Sequence, residues 1–232
     1  MHIQDLTNYL AELTDNNNRA WFVMNKPRYD ILREEFLILV TDLVTQISKF
    51  DPLILGCNPK KALFRINRDI RFAKDKSPYK TRFSAAIVAG DLKKPSQGGG
   101  PAYYFHMDAN GDLLVAVGEY MPPAERLKQI RSAIAERGPA LVKILKSKKL
   151  LGAFSHLEEE DKLLRAPKGF DVDHPQIELI KLKHCMVWNQ IPMKSFKAEQ
   201  RSELVLKTLA DSFKAAYPLV CWLREAASHA GS

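Results

Sequence analysis

The stretch Ala102-Tyr103-Tyr104-Phe105-His106-Met107-Asp108-Ala109-Asn110-Gly111-Asp112-Leu113-Leu114-Val115-Ala116-Val117-Gly118-Glu119-Tyr120 decides the class of fold. Aromatic and aliphatic residues dominate both arms, and Asn110-Gly111 supplies the positive φ angles that a tight reversal between twisted strands requires. The spacing predicts an antiparallel hairpin with strands over residues 102–108 and 112–120. Upstream, residues 62–72 and 83–89 have the composition of strands, and downstream so do residues 184–191. Their order implies a largely antiparallel sheet. Residues 150–175, rich in charge and marked by Pro167, Gly169 and Pro175, are irregular with room for a short strand pair.

Helices flank this region. Leu6, Leu10 and Leu13 recur at helical spacing; Asp15-Asn16-Asn17-Asn18 then breaks the run and offers caps for a short helix carrying Trp21 and Phe22. From Pro27, the positions Tyr29, Leu32, Phe36, Leu39, Val40, Leu43, Ile47 and Phe50 step by three and four, as one long amphipathic helix does. Pro122-Pro123 opens another helix, Pro139 restarts it, residues 176–183 suit a short helix, and residues 198–216 a terminal one. No repeat, low-complexity linker or second domain interrupts residues 1–232. The expectation is one α+β domain, a largely antiparallel sheet flanked by helices.

Composition narrows the classes of function. A chain of 232 residues with 46% hydrophobic content buries roughly 70% of its unfolded surface, so it needs no disulfide or metal staple. Cys57, Cys185 and Cys221 are odd in number and far apart, without the spacing of a zinc site or a disulfide framework. No stretch approaches the ~20 apolar residues of a membrane span, and the first residues lack a basic start and an apolar run. These features place the protein in the cytoplasm, with no membrane partner. HExxH, GxSxG and Walker sequences are absent, and Gly98-Gly99-Gly100 is not followed by a helix start, so no metal, cofactor or dinucleotide is expected. His106 and His184 fall in predicted strands, where a lone histidine is more often packed than ligating. Glu158-Glu159-Glu160-Asp161 reads as a solvated acidic face.

The charge is focused. Residues 60–82 hold nine basic side chains against two acids, a local excess of +7 in a chain of net charge +8. Over residues 63–72 the pattern alternates, with Phe64, Ile66, Arg68, Ile70 and Phe72 on one side and Arg65, Asn67, Asp69 and Arg71 on the other. A regular strand there sends Arg68 among apolar side chains, where a guanidinium demands a carboxylate, a bound anion or a break in register. Pro78 restricts Ser77 to extended backbone and fixes the turn that follows. Arginine forks, lysine charges and hydroxyls are the groups that grip phosphates and carboxylates. The candidate ligand-binding residues are therefore Arg65, Arg68, Arg71, Lys76, Tyr79 and Lys80, supported by Asn67, Asp69 and Asp75, the two acids doubling as proton acceptors if the protein is an enzyme.

Phe64-Arg65-Ile66-Asn67-Arg68-Asp69-Ile70-Arg71-Phe72-Ala73-Lys74-Asp75-Lys76-Ser77-Pro78-Tyr79-Lys80-Thr81 resembles the hallmark of the bacterial and fungal family called domain of unknown function 2461. Asn16-Asn17 with Trp21-Phe22 resembles that family's opening, and the likeness spans nearly the whole chain. The resemblance implies a single α+β domain and a cytoplasmic protein, with no activity, cofactor or catalytic residue to carry over. Three functions then compete for the basic segment. The leading one is a site for an anionic small molecule, a phosphate or carboxylate, with or without catalysis. The second is nucleic-acid binding, with Tyr79, Tyr103, Tyr104 and Phe105 as stacking rings. The third is a structural or interaction module in which Arg and Asp pair internally. Substrate, reaction and oligomeric state are not encoded in any motif.

Overall fold

A computed structural model of the chain describes residues 2–71, 74–90 and 100–228. Helix α1 (Ile3–Asp15) leads through a turn to α2 (Arg19–Met24), whose first turn is capped by the Asn18 side chain accepting from the Trp21 amide. The long α3 (Lys26–Ser48) has Pro27 in its first turn, where a missing N–H costs nothing. Its buried positions, Leu32, Phe36, Leu39, Val40, Leu43 and Ile47, are the apolar stripe read from the sequence.

After a 3-10 turn over Pro52–Gly56 and the one-turn α4 (Pro59–Ala62), the chain enters the sheet. Strands β1 (Arg82–Ile87), β2 (Ala102–Asp108), β3 (Asp112–Glu119), β4 (His156–Leu157) and β5 (Cys185–Pro192) lie in the order β1-β2-β3-β5-β4, every neighbouring pair antiparallel. Gly111 takes φ 78° in the predicted hairpin turn. Gly118 is also obligatory: at φ 135°, an added Cβ would lie 2.1 Å from the Cys185 carbonyl oxygen on β5.

The remaining helices are α5 (Ala124–Leu145), α6 (Lys148–Ala153), α7 (Ile177–Ile180) and α8 (Arg201–Ser228). Pro139 kinks α5 without ending it, and the distortion falls at Arg137. The terminal helix starts near the predicted residue but runs to Ser228, through Pro218. Leu219, Val220, Trp222, Leu223 and Ala226 beyond that proline are buried, and their burial outweighs one lost backbone bond.

One face of the sheet carries the core. Phe36 of α3 meets Phe83 and Phe105 at 5.5 and 5.3 Å between ring centres, and Phe213 of α8 meets Tyr103 at 5.3 Å. Alternation therefore buries Phe83, Ala85 and Ile87 of β1, Tyr103, Phe105 and Met107 of β2, and Leu113, Val115 and Val117 of β3 under helices.

Two sequence expectations are corrected. Residues 62–71 form no regular strand: residue 62 ends α4, and only isolated bridges join Leu63 to Ala85 and Asn67 to Tyr79. After Phe64, whose amide donates to the Ser84 carbonyl at 3.0 Å, the chain leaves the sheet edge and folds on itself. Lys80 N donates to Ile66 O at 2.8 Å, and Arg68 N to Pro78 O at 2.9 Å. Arg68 thereby escapes the apolar environment of a regular strand and reaches a carboxylate, since burying an unpaired guanidinium costs more than giving up ladder bonds to a sheet edge. Within 150–175 no strand pair forms on its own; the two residues of β4 pair with β5 instead. Phe72 and residues 98–99 of the glycine-rich loop lie outside the described residues.

Candidate functional site

The alternation that buries one face of the sheet turns other side chains toward the opposite face. Those are Arg82, Ser84 and Ala86 of β1, Ala102, Tyr104 and His106 of β2, Leu114, Ala116 and Gly118 of β3, and Met186, Trp188 and Gln190 of β5. Four of these are alanine or glycine, too short to fill the space above the strands. A cleft of about 870 Å³ lies there, bounded by Phe64 at the β1 side and by residues 119–123, Glu158 and Glu160 at the far side. Ligand sites typically occupy 300–1,000 Å³ and combine apolar walls with a few polar groups.

The polar groups have distinct environments. His106 is 9% exposed, and its Nδ1 lies 3.1 Å from the Tyr104 hydroxyl. Burial, and then the charge of Arg82, lower its pKa to about 4, so the ring is neutral at physiological pH. Arg82 itself is exposed at the cleft and makes no side-chain hydrogen bond or ion pair to the described residues. Lys80 Nζ lies 5.3 Å from the centre of the Phe64 ring and donates to the Arg65 carbonyl at 3.0 Å. Its pKa is lowered by burial and then by the neighbouring charges of Arg82, Arg65 and Arg68. Positive charge thus crowds the Phe64 end of the cleft. At the opposite end, Glu158 and Glu160 face it, and Trp188 stacks on His156 at 4.2 Å. Glu119 is already engaged, bound by the Arg126 guanidinium in a buried pair.

The residues predicted from sequence divide differently from the expectation. Arg68 is paired with Asp75, and Arg71 grips Asp69 through Nε at 2.9 Å and Nη2 at 2.7 Å. Hydrogen bonds from Ser77 and then Arg68 hold the Asp75 carboxyl down to about 2, and Arg71 holds Asp69 down to about 2. Lys76 Nζ donates to the Ile70 carbonyl at 3.0 Å. Tyr79 is buried, with its ring stacked on Phe22 at 4.0 Å. The Asn17 side chain clamps its backbone from both sides, accepting from Tyr79 N and donating to Tyr79 O, each at 3.0 Å. Asn67 bridges to the same residue. Arg65 makes no side-chain hydrogen bond or ion pair to the described residues.

Sequence reasoning passed over Arg82, His106 and Trp188 as cleft residues, and counted Tyr104 only among the stacking rings of the nucleic-acid reading. Arg82 stood at the end of the basic segment, where only its position two residues before Ser84 on β1 distinguishes it. The period-two pattern in residues 102–118 did hold a signal: Tyr104, His106, Leu114, Ala116 and Gly118 are the less bulky or more polar set on their strands. Among the described residues, no group of three His, Cys, Asp or Glu side chains is placed to hold a metal ion.

Fold and cleft define a class: a single α+β domain whose antiparallel sheet packs helices on one face and opens a cleft on the other. The chain belongs to the family described as Conserved hypothetical protein (DUF2461), which matches residues 5–222. That match includes both the Asn17 clamp and the segment it clamps. No curated protein and no solved structure matches the chain.

Proposed function

We propose that this chain binds an anionic small molecule, a phosphate or carboxylate, in the cleft on the open face of the sheet. The basic segment contributes through the side that meets the cleft: Arg82 directly, with Lys80 and Arg65 beside Phe64. One observation carries this reading, namely that Arg82 lines a ligand-sized cleft without a carboxylate partner among the described residues while other cations crowd its neighbourhood. Positive charge focused at a concave, partly apolar surface attracts anions more strongly than the same charge spread over a convex one. The paired Arg68 and Arg71, with Lys76, Asn67, Asp69, Asp75 and Tyr79, shape and hold the loop that presents this charge. Cys57, Cys185 and Cys221 are not joined in disulfides, and no described helix is long and apolar enough to cross a membrane; both features fit the cytoplasmic location proposed here.

Nucleic-acid binding through the same segment is the less favoured reading. Tyr103 and Phe105 are fully buried on the helix side and Tyr79 lies beneath Phe22, so of the four rings only Tyr104 faces the cleft.

A thermal-shift screen of phosphorylated and carboxylated metabolites tests the proposal. A ligand at a hundred times its Kd raises stability by about 2.7 kcal/mol, a clear rise in Tm. Arg82→Ala should remove that rise, whereas Arg71→Ala, whose guanidinium is engaged in the loop, should leave most of it. A shift that survives Arg82→Ala but disappears in Arg71→Ala would move the site back to the loop.

A further inference from the structure

His106 is a polar side chain buried to nine-tenths that lines the cleft, yet Tyr104 is its only hydrogen-bond partner among the described residues. A phenol is a better proton donor than a neutral imidazole N–H, and an imidazole nitrogen a better acceptor than a phenol oxygen. In the 3.1 Å contact the Tyr104 O–H therefore donates to Nδ1. The ring proton is then on Nε2, as a donor without a protein acceptor. Nε2 is not among the side-chain atoms sealed from solvent without a partner, so this donor is open to the cleft and able to meet a ligand acceptor there.

The sheet register places a second donor beside it. Ser84 lies directly opposite His106, and Arg82 is two residues before Ser84 on the same face of β1. Diagonal neighbours of this kind stand about 7–8 Å apart at their bases, within reach of long side chains. A neutral N–H and a guanidinium converging on one point match an oxyanion: one oxygen accepts from the ring while another accepts from the fork.

We propose that His106 Nε2–H and the Arg82 guanidinium form one oxyanion subsite, with Tyr104 fixing the ring tautomer, and that the anionic group of the ligand is held there. The body of the ligand then extends over the strands toward Trp188. This rests on the anion-binding reading above and names the atoms that recognise the ligand. The imidazole acts as a neutral donor, so no second positive charge has to be stabilised next to Arg82. The groups facing it are Arg82 and Ser84 from β1, Tyr104 from its own strand and Leu114 from β3, and Arg82 is the charged one among them.

The test is nuclear magnetic resonance on the full chain with 15N-labelled histidine, titrated with inorganic phosphate, acetate, phenyl phosphate and benzoate. Before any addition, at pH 7, His106 should show the neutral tautomer protonated at Nε2. At least one of the four anions should move the Nε2 resonance saturably, with affinity falling tenfold or more in Arg82→Ala and in His106→Leu. His106→Gln, which restores an N–H donor, should recover part of that loss. The wild-type resonance reports on the subsite even if a variant folds poorly. A ring protonated at Nδ1, or a loss in Arg82→Ala with none in His106→Leu, overturns the role of His106 and leaves the anion reading standing. Binding that neither substitution weakens overturns the subsite and relocates the anion. Absence of saturable binding by all four overturns both.

Discussion

At the scale of single residues, the environment of each side chain sets its chemistry more than its type does. His106 and Arg82 are neighbours on one sheet face, and the histidine is neutral because burial and the adjacent charge disfavour its protonated form. This has a consequence for stability. An unfolded histidine takes up its proton near pH 6.5, while the folded His106 does so only near pH 4. As pH falls between those values the unfolded chain binds more protons than the folded one, and stability falls with it. Above pH 6.5 the effect vanishes, and below pH 4 no further loss accrues. The total is on the order of 3 kcal/mol. Urea titrations at pH 7.5, 6, 5 and 4 on wild type and His106→Gln should show a shallower decline in the variant over this window; parallel curves would mean that the ring is protonated in the folded protein. Arg68 illustrates the limit of single-residue reading. The alternation correctly marked it as unable to remain unpaired among apolar groups, but three remedies were open, and the fold uses two of them, a carboxylate and an abandoned ladder.

At the scale of elements, two separated stretches of sequence turn out to be one device. The turn before α2 supplies Asn17, which bonds the backbone of Tyr79 from both sides, and α2 supplies Phe22, which stacks on the Tyr79 ring. The basic loop between Ile66 and Lys80 is thus anchored at its proline-fixed return, next to the strand that carries Arg82. Asn17→Ala removes both bonds and leaves a Tyr79 N–H without its partner. A loss of about 1–3 kcal/mol is expected, together with faster amide hydrogen exchange at Tyr79 and Lys80. Unchanged exchange there would show that the stacked rings alone hold the loop. The same variant should also weaken anion binding in the proposed cleft site, because the loop that sets the position of Lys80 and Arg65 is loosened.

At the scale of the whole molecule, the segment after α3 and the terminal helix are tied through a buried ion pair. Asp51, just after α3, is fully buried; Arg224 near the end of α8 bonds both of its carboxylate oxygens at 2.8 Å, and Tyr103 of β2 donates to it at 2.9 Å. Helix, sheet and terminal helix meet at one carboxylate. Removing the cation leaves that charge buried and uncompensated, which costs about 3–5 kcal/mol. Arg224→Ala should lower the urea midpoint accordingly, and the double variant Arg224→Met, Asp51→Leu should recover much of the loss. Equal stability of wild type and Arg224→Ala would mean that solvent or another group satisfies Asp51.

The sequence by itself determined the class of fold, because it depends on local pattern. The Asn110-Gly111 turn, the stripe from Leu32 to Ile47 and the caps at Asn18 and Pro27 each specify their own element through backbone preference and a period of two or 3.6 residues. It also located the positive charge, since charge is read directly from composition. What only the tertiary structure decided is which of those charges are spent on internal partners and which face an open space. Arg68 and Arg71 find Asp75 and Asp69 because the loop doubles back, Tyr79 is removed from the surface by Asn17 and Phe22, and Arg82 meets His106 because β1 pairs with β2 in one register. Such pairings join residues distant in the chain through strand register and loop closure, and neither leaves a periodicity in the sequence to be read.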